Sequence, residues 1–365
     1  MKSKHRVIAI YLPQYHPFKE NDEWWGKGFT EWTNVTKSRP RFPGHYQPHL
    51  PSDLGFYDLR VPEVREQQAQ MAKEFGLYGF CYYHYWFNGK LLMERPLQEI
   101  LESGKPNFPF MICWANENWT RAWDGGEKQI LIKQEYTEED ARNHIKWLIP
   151  YFKDYRYIRI DDKPVIAIYR TTIIPNLDSM LKIWREEAAK EGIDLYITRF
   201  ESFGQAGKEY LSSDIDAAID FQPVSAMMSN YKKKANHKLL QYINSVFFRN
   251  RFPKIVNYQK YVNYYIKHWH LPNYKQYPCL TPGWDNTSRR KKNAFLFINN
   301  SPSYYAKWLD FIMKHFKPYS QHENFIFINA WNEWGEGNYL EPDVRNGYAY
   351  LKAVKKAKDF YNSRR

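Results

Sequence analysis

Eight short runs of apolar, β-branched or aromatic residues recur along this chain, and most are separated by stretches with the periodicity of amphipathic helices. The runs are Val7–Tyr11, Tyr78–His84, Phe110–Trp114, Val165–Tyr169, Leu195–Phe200, Ala217–Phe221, Cys279–Pro282 and Phe325–Asn329. Helical patterns fall at Glu63–Phe75, Leu97–Leu101, Glu138–Tyr151, Leu177–Lys190, Tyr304–His315 and Tyr348–Phe360, with further ones near Glu209 and Tyr258. Strand alternating with helix calls for a parallel sheet covered by helices, and eight such units predict closure into an α/β (β/α)8 TIM barrel. The 365 residues could also be two domains, but no linker divides them, so residues 1–365 are expected to form a single catalytic domain. Two stretches, about 12–59 and 224–276, break the repeat. They follow strands 1 and 6, which makes them long βα loops on the face where barrels build their sites.

Chemistry should therefore follow strands. Strand 1 is followed by Gln14 and His16, and its loop carries Trp25, Glu31 and Trp32; Tyr11 ends the strand itself. Strand 2 runs into Tyr83, His84 and Trp86, strand 3 into Trp114, Asn116, Glu117 and Trp119, strand 4 ends at Tyr169, and Glu201 follows strand 5. Trp284 and Asp285 follow strand 7. Strand 8 exits through Asn329, Trp331, Asn332, Glu333, Trp334 and Glu336. Two carboxylates three residues apart among indoles combine acid/base groups with flat apolar faces, which suits sugars. Aromatic residues at 18% exceed what packing needs, consistent with a lined cleft. The side chains of Tyr11, His84, Trp114, Tyr169, Glu201, Trp284 and Glu333 are expected around one mouth.

Other features set limits. Cys81, Cys113 and Cys279 lie inside apolar runs and read as buried thiols, without a disulfide or zinc framework. His16, His84 and Glu117 sit at strand ends, but no His-Glu-x-x-His spacing occurs, so no metal or other cofactor is expected. The basic start Met1–Arg6 leads directly into a strand, so no secretion signal is expected and the cytoplasm is the expected compartment. The net charge of +13, concentrated in Lys232–Lys234, Arg249–Arg251 and Arg289–Lys292, favours an anionic partner. No nucleic-acid motif accompanies it and nucleic acid is not expected; an oligo- or polysaccharide, anionic or neutral, is, and the basic patches leave peripheral membrane contact open without a transmembrane segment.

The segments Tyr11–His16, Gly28–Trp32, Tyr82–Trp86, Trp114–Trp119 and Asn329–Gly337 resemble the WbsX-type family, whose members are labelled glycosyltransferases or lipopolysaccharide biosynthesis proteins and are similar to glycoside hydrolase family 99. What the resemblance implies is a retaining, endo-acting route through a 1,2-anhydro sugar. In it Glu333 deprotonates the substrate's 2-hydroxyl and Glu336 protonates the leaving oxygen. The bond would be 1,2-trans, such as an α-mannoside or α-rhamnoside of a bacterial polysaccharide. Glycosyl transfer or transglycosylation is the alternative, and a non-catalytic glycan-binding barrel the second. The Asp214-Ile215-Asp216 pattern of nucleotide-sugar transferases precedes strand 6, on the face away from the aromatic rim.

Overall fold

The computed structural model describes residues 5–121, 126–234, 244–246 and 249–363. The first four residues of the basic N-terminus and part of the 224–276 insertion lie outside them. Eight parallel strands form the centre: β1 (Arg6–Tyr11), β2 (Gly79–Phe87), β3 (Phe110–Trp114), β4 (Lys163–Ile168), β5 (Tyr196–Glu201), β6 (Ala217–Asp220), β7 (Gln276–Leu280) and β8 (Phe325–Ile328). Each pairs with its neighbours in sequence, and β1 closes the ring by pairing Arg6 with Phe325 of β8 and Ile8 with Gly79 of β2. The (β/α)8 TIM barrel read from the repeat is the observed fold, with strand ends that coincide or differ by up to three residues. Nearly every strand residue is buried, as expected of a sheet covered on both faces.

The α-helices outside the barrel include α1 (Pro62–Glu74), α2 (Arg95–Ser103), α3 (Glu138–Lys153), α4 (Leu177–Lys190), α5 (Tyr258–His268), α6 (Pro302–His315) and α7 (Ala349–Ser363), and Ala226–Lys234 forms a further helix in the loop after β6. Their starts are chemically marked. Thr137 and Ser301 accept hydrogen bonds from the backbone N–H groups of Asp140 and Tyr304, and Pro62 and Pro302 begin α1 and α6. The helix expected near Glu209 is a single 3-10 turn, Lys208–Tyr210. Phe203, Gly204 and Gly207 all have positive φ, so the segment cannot propagate a helix.

The loops that follow the strands build the upper face. After β1, helices Lys19–Trp25 and Glu31–Lys37 fold over the mouth. After β6, the segment Lys254–Asn257 runs parallel to Phe295–Ile298 from the loop after β7, tying those two loops together. After β8, Asn332–Glu333 pairs with Asn338–Tyr339 around the turn Trp334–Glu336. Asp214 and Asp216 hold Arg185 of α4, and Asp216 also accepts from the Ile197 N–H at the start of β5. No helix among the described residues is long and apolar enough to cross a membrane.

Candidate active site

The chain leaving β8 is locked to the chain leaving β1. The Asn332 amide accepts from Leu12 N–H (2.8 Å) and donates to the Leu12 carbonyl (3.0 Å), reproducing with one side chain the two bonds of a strand pair. The Tyr15 hydroxyl donates to the Asn332 carbonyl and accepts from Trp334 N–H (3.0 Å). The Trp334 indole stacks on Tyr339 at 3.7 Å and donates to Glu341. A turn pinned at so many points presents Glu333 and Glu336 on fixed backbone.

Both carboxylates converge on one guanidinium. Arg289 gives Nη2 to Glu333 (2.8 Å), Nη1 to Glu336 (2.9 Å) and Nε to Glu31 (2.8 Å). Glu31 and Glu333 are buried, whereas the Glu336 side chain keeps 21% exposure and is the most open of the three. Gly335 makes room for this: a Cβ there would lie 1.8 Å from Glu31 Oε1 and 2.7 Å from Arg289 Nε. Ser288 donates to the Gly335 carbonyl, joining the Arg289 loop to the turn.

Three carboxylates meet one guanidinium in a largely buried site, with Arg290 a further cation acting on Glu336, so the cluster resists full ionisation. Burial, reinforced by Glu336 and Glu31 and opposed by Arg289, pushes the Glu333 carboxyl up to about 8. Burial also raises Glu336, with Glu31 adding to it against Arg289. For Arg289, burial works against the charge, but the three carboxylates outweigh it and hold the guanidinium protonated. The phenols of Tyr15, Tyr83, Tyr85 and Tyr169 are raised chiefly by burial, and each also feels Glu333 or Glu336. They remain hydrogen-bond donors beside the acids. Glu117, at the rim, pairs with Arg170 at 2.6 Å, and the partly exposed Trp119 sits edge-on to Tyr85.

Several residues expected at the mouth are elsewhere. Side chains alternate along a strand, and the even positions of β2 face the helices. His84 shares a 2.9 Å hydrogen bond with His144 of α3 and stacks on Trp147, and Trp86 stacks on His144 and donates to Asp140. Trp114 packs against His144 and Trp184, and the Tyr11 hydroxyl donates to Gln68 of α1. Glu201 is enclosed by Tyr274 and Gln276. These five belong to the layer around the barrel, so the expectation of a mouth shared by Tyr11, His84, Trp114 and Glu201 is corrected by strand parity.

Others frame the loops. Asp285 accepts from His45, Gln47 and Thr287, and Trp32 donates to the Tyr57 carbonyl. Asn116 exchanges bonds with the Arg170 backbone, Asn329 donates to the Gln222 carbonyl, and Trp331 is buried beside Phe80. Gln14 and His16 are buried at the root of the first loop, where burial holds the His16 imidazole down to about 4 and therefore neutral. Trp25 lies against Phe29, and Trp284 beside Phe295. Brought together with Glu333 and Glu336 are Glu31, Tyr83 and Tyr169. Sequence reading missed Arg289, hidden in a run of four basic residues, and Tyr15 and Tyr85, each flanked by residues that were singled out. The three cysteines are buried and free, and among the described residues no group of three or more His, Cys, Asp or Glu could hold a metal.

The model of the family described as Glycosyltransferase WbsX matches residues 7–354. The uncharacterized protein WxcX of Xanthomonas campestris pv. campestris (strain B100) is 38% identical over 354 residues, covering 96% of this chain and 49% of that protein, and the WxcX of a second strain matches to the same extent. The chain thus spans about half the length of the curated relatives it matches. Among solved structures, a GH99 endo-alpha-mannosidase from Bacteroides thetaiotaomicron has a TM-score of 0.57 at 13% identity, covering 99% of this chain and 98% of that one. A glycoside hydrolase-like protein has a TM-score of 0.59 at 13% identity, covering 98% and 94%. At such identities the likeness is one of fold.

Proposed function

Because the chain belongs to the Glycosyltransferase WbsX family, we propose that it is a carbohydrate-active enzyme whose acid and base are Glu336 and Glu333, acting as a retaining, endo-type glycoside hydrolase on a 1,2-trans bond of a polysaccharide, in the cytoplasm. Residues 1–365 act in this reading as one catalytic unit. The observation that carries it is the Arg289 cluster. With three carboxylates on one guanidinium, retaining one proton is favoured over full ionisation, and a site holding one protonated and one ionised carboxyl near neutral pH is equipped for acid/base catalysis. Attachment of Glu333 and Glu336 to neighbouring nitrogens of one guanidinium keeps them close. That favours a retaining arrangement over the roughly 6.5–9.5 Å spacing that admits a water in inverting enzymes.

In the first step the sugar's 2-hydroxyl donates to Glu333. A hydroxyl donor stabilises the ionised form of its acceptor, so substrate arrival drives the shared proton to the more open Glu336. Glu333 takes the 2-hydroxyl proton, O2 attacks C1, and the C1–O bond breaks as Glu336 protonates the leaving oxygen. In the second step Glu336 deprotonates water, which opens the 1,2-anhydro ring at C1 while Glu333 returns its proton to O2. Tyr83, Tyr169, Trp119 and Glu117 are proposed to contact the sugars. The family description supports a second reading, in which a sugar hydroxyl replaces water as acceptor and the same carboxylates perform transglycosylation. A 2-deoxy version of a cleaved oligosaccharide tests the route: it is expected to bind yet not react, with retained product seen by early-time NMR for the parent. Cleavage of the 2-deoxy sugar, or inverted product, would overturn it.

A further inference from the structure

The chain's positive charge has one source. Residues 221–309 hold fifteen Lys and Arg and a single carboxylate, Asp285, an excess of fourteen within a chain whose total is +13. The rest of the protein is balanced, so this segment was not made basic by overall composition. It takes in the loops after β6 and β7 together with α5, β7 and most of α6, and the pairing of Lys254–Asn257 with Phe295–Ile298 joins the two loops.

Within it one cation stands out. The Lys232 ammonium lies 3.6 Å from the centroid of the Phe295 ring and is partly buried. The charged group acting on it is another cation, Lys254, and burial together with Lys254 lowers the Lys232 ammonium to about 8. Lys254 is aligned with Phe295 across the strand pair. A cation withdrawn from water is ordinarily paired, and no carboxylate is paired with the partly buried Lys232 among the described residues, while Lys254 is exposed. The same Phe295 ring is flanked by Trp284, whose indole N–H is buried without a partner among the described residues. Trp284 immediately precedes Asp285, whose N–H donates to the Glu336 carbonyl. The Lys232 ammonium on the Phe295 ring, Lys254 aligned with that residue and the buried Trp284 indole donor are therefore held on segments tethered to the turn that carries Glu336.

We infer that Lys232, Lys254 and Trp284 form a subsite for an anionic substituent of the glycan, a carboxylate or a phosphate, with Phe295 holding the Lys232 ammonium in place. The two cations and the N–H would bind the anion. This rests on the proposed action on glycans and narrows its substrate class to acidic polysaccharides.

The test is binding to three immobilised probes, a glucuronic-acid polymer, its carboxyl-reduced neutral form and a phosphorylated mannan, with vesicles containing phosphatidylserine as a control. The wild type is expected to prefer one acidic probe over the neutral polymer by about tenfold or more, with affinity falling as salt rises. The double variant K232Q/K254Q is expected to lose that preference, to keep its circular dichroism spectrum, and to bind the neutral polymer as the wild type does. Preference for the glucuronic-acid polymer assigns a carboxylate, and for the mannan a phosphate. Equal binding of all three probes, an unchanged preference in the variant, or binding only to vesicles containing phosphatidylserine would overturn the inference. The variant E336Q separates this from the catalytic reading. It should keep the preference for the acidic probe over the neutral polymer, and full turnover by E336Q would remove the catalytic reading while leaving the subsite standing.

Discussion

Gly335 decides whether the acid cluster can exist. Its missing side chain is the space that Glu31 Oε1 and Arg289 Nε occupy, so Gly335→Ala must displace one of them. The expected result is a fall in kcat of about 10²-fold or more, comparable to a loss of general acid–base catalysis, with global structure retained. Steady-state kinetics with circular dichroism would check it, and wild-type kinetics in G335A would mean that the cluster is not required. The Glu333 and Glu336 pair was legible in sequence because two carboxylates leaving an apolar strand stand out. Arg289 was not, since nothing distinguishes it from Arg290, Lys291 and Lys292 until the fold brings Glu31, 258 positions away, against it.

At the scale of elements, the layer between β2, β3 and α3 is a polar-aromatic core. His84, His144, Trp86 and Asp140 satisfy one another there, which removes Trp86 from the substrate and makes it structural. Trp86→Phe leaves Asp140 without that donor and is expected to destabilise the fold by about 1–2 kcal/mol, read from denaturant unfolding, with KM unchanged. A raised KM at unchanged stability would return Trp86 to the mouth. The strands themselves were legible because both faces are apolar. Such runs do not say which parity faces inward, and this is why Tyr11, His84 and Trp114 were placed on the wrong side while Tyr83 and Tyr169 were not. The turn near Glu209 was misread for a different reason: helical composition was overruled by three positive φ values at Phe203, Gly204 and Gly207.

For the whole molecule, buried titratable groups set the pH window of stability. Burial raises Glu333 to about 8 and Glu341 and Asp220 to about 7, above their unfolded values, so the stability they permit is full below about pH 4.5 and is lost as pH rises through 7 and 8. His16, His84 and His144 are lowered by burial, so their contribution is full above about pH 6.5 and is lost as pH falls toward 4. Melting temperature is expected to peak between about pH 5 and 6.5 and to decline on both sides, with Glu333→Gln flattening the alkaline decline. A maximum at pH 8 or above in scanning calorimetry would contradict these burials.

Leaving-group dependence tests the division of labour between Glu336 and Glu333 most directly. A dinitrophenyl glycoside of the true substrate sugar needs no proton on its leaving oxygen, whereas the native linkage does. Single-turnover rates should show Glu336→Gln within about tenfold of wild type on the activated glycoside but slower by about 10²- to 10⁴-fold on the native bond, and Glu333→Gln slow on both. A Glu336→Gln rate matching the wild type on the native bond, or a Glu333→Gln enzyme that still cleaves the activated glycoside at full rate, would contradict it.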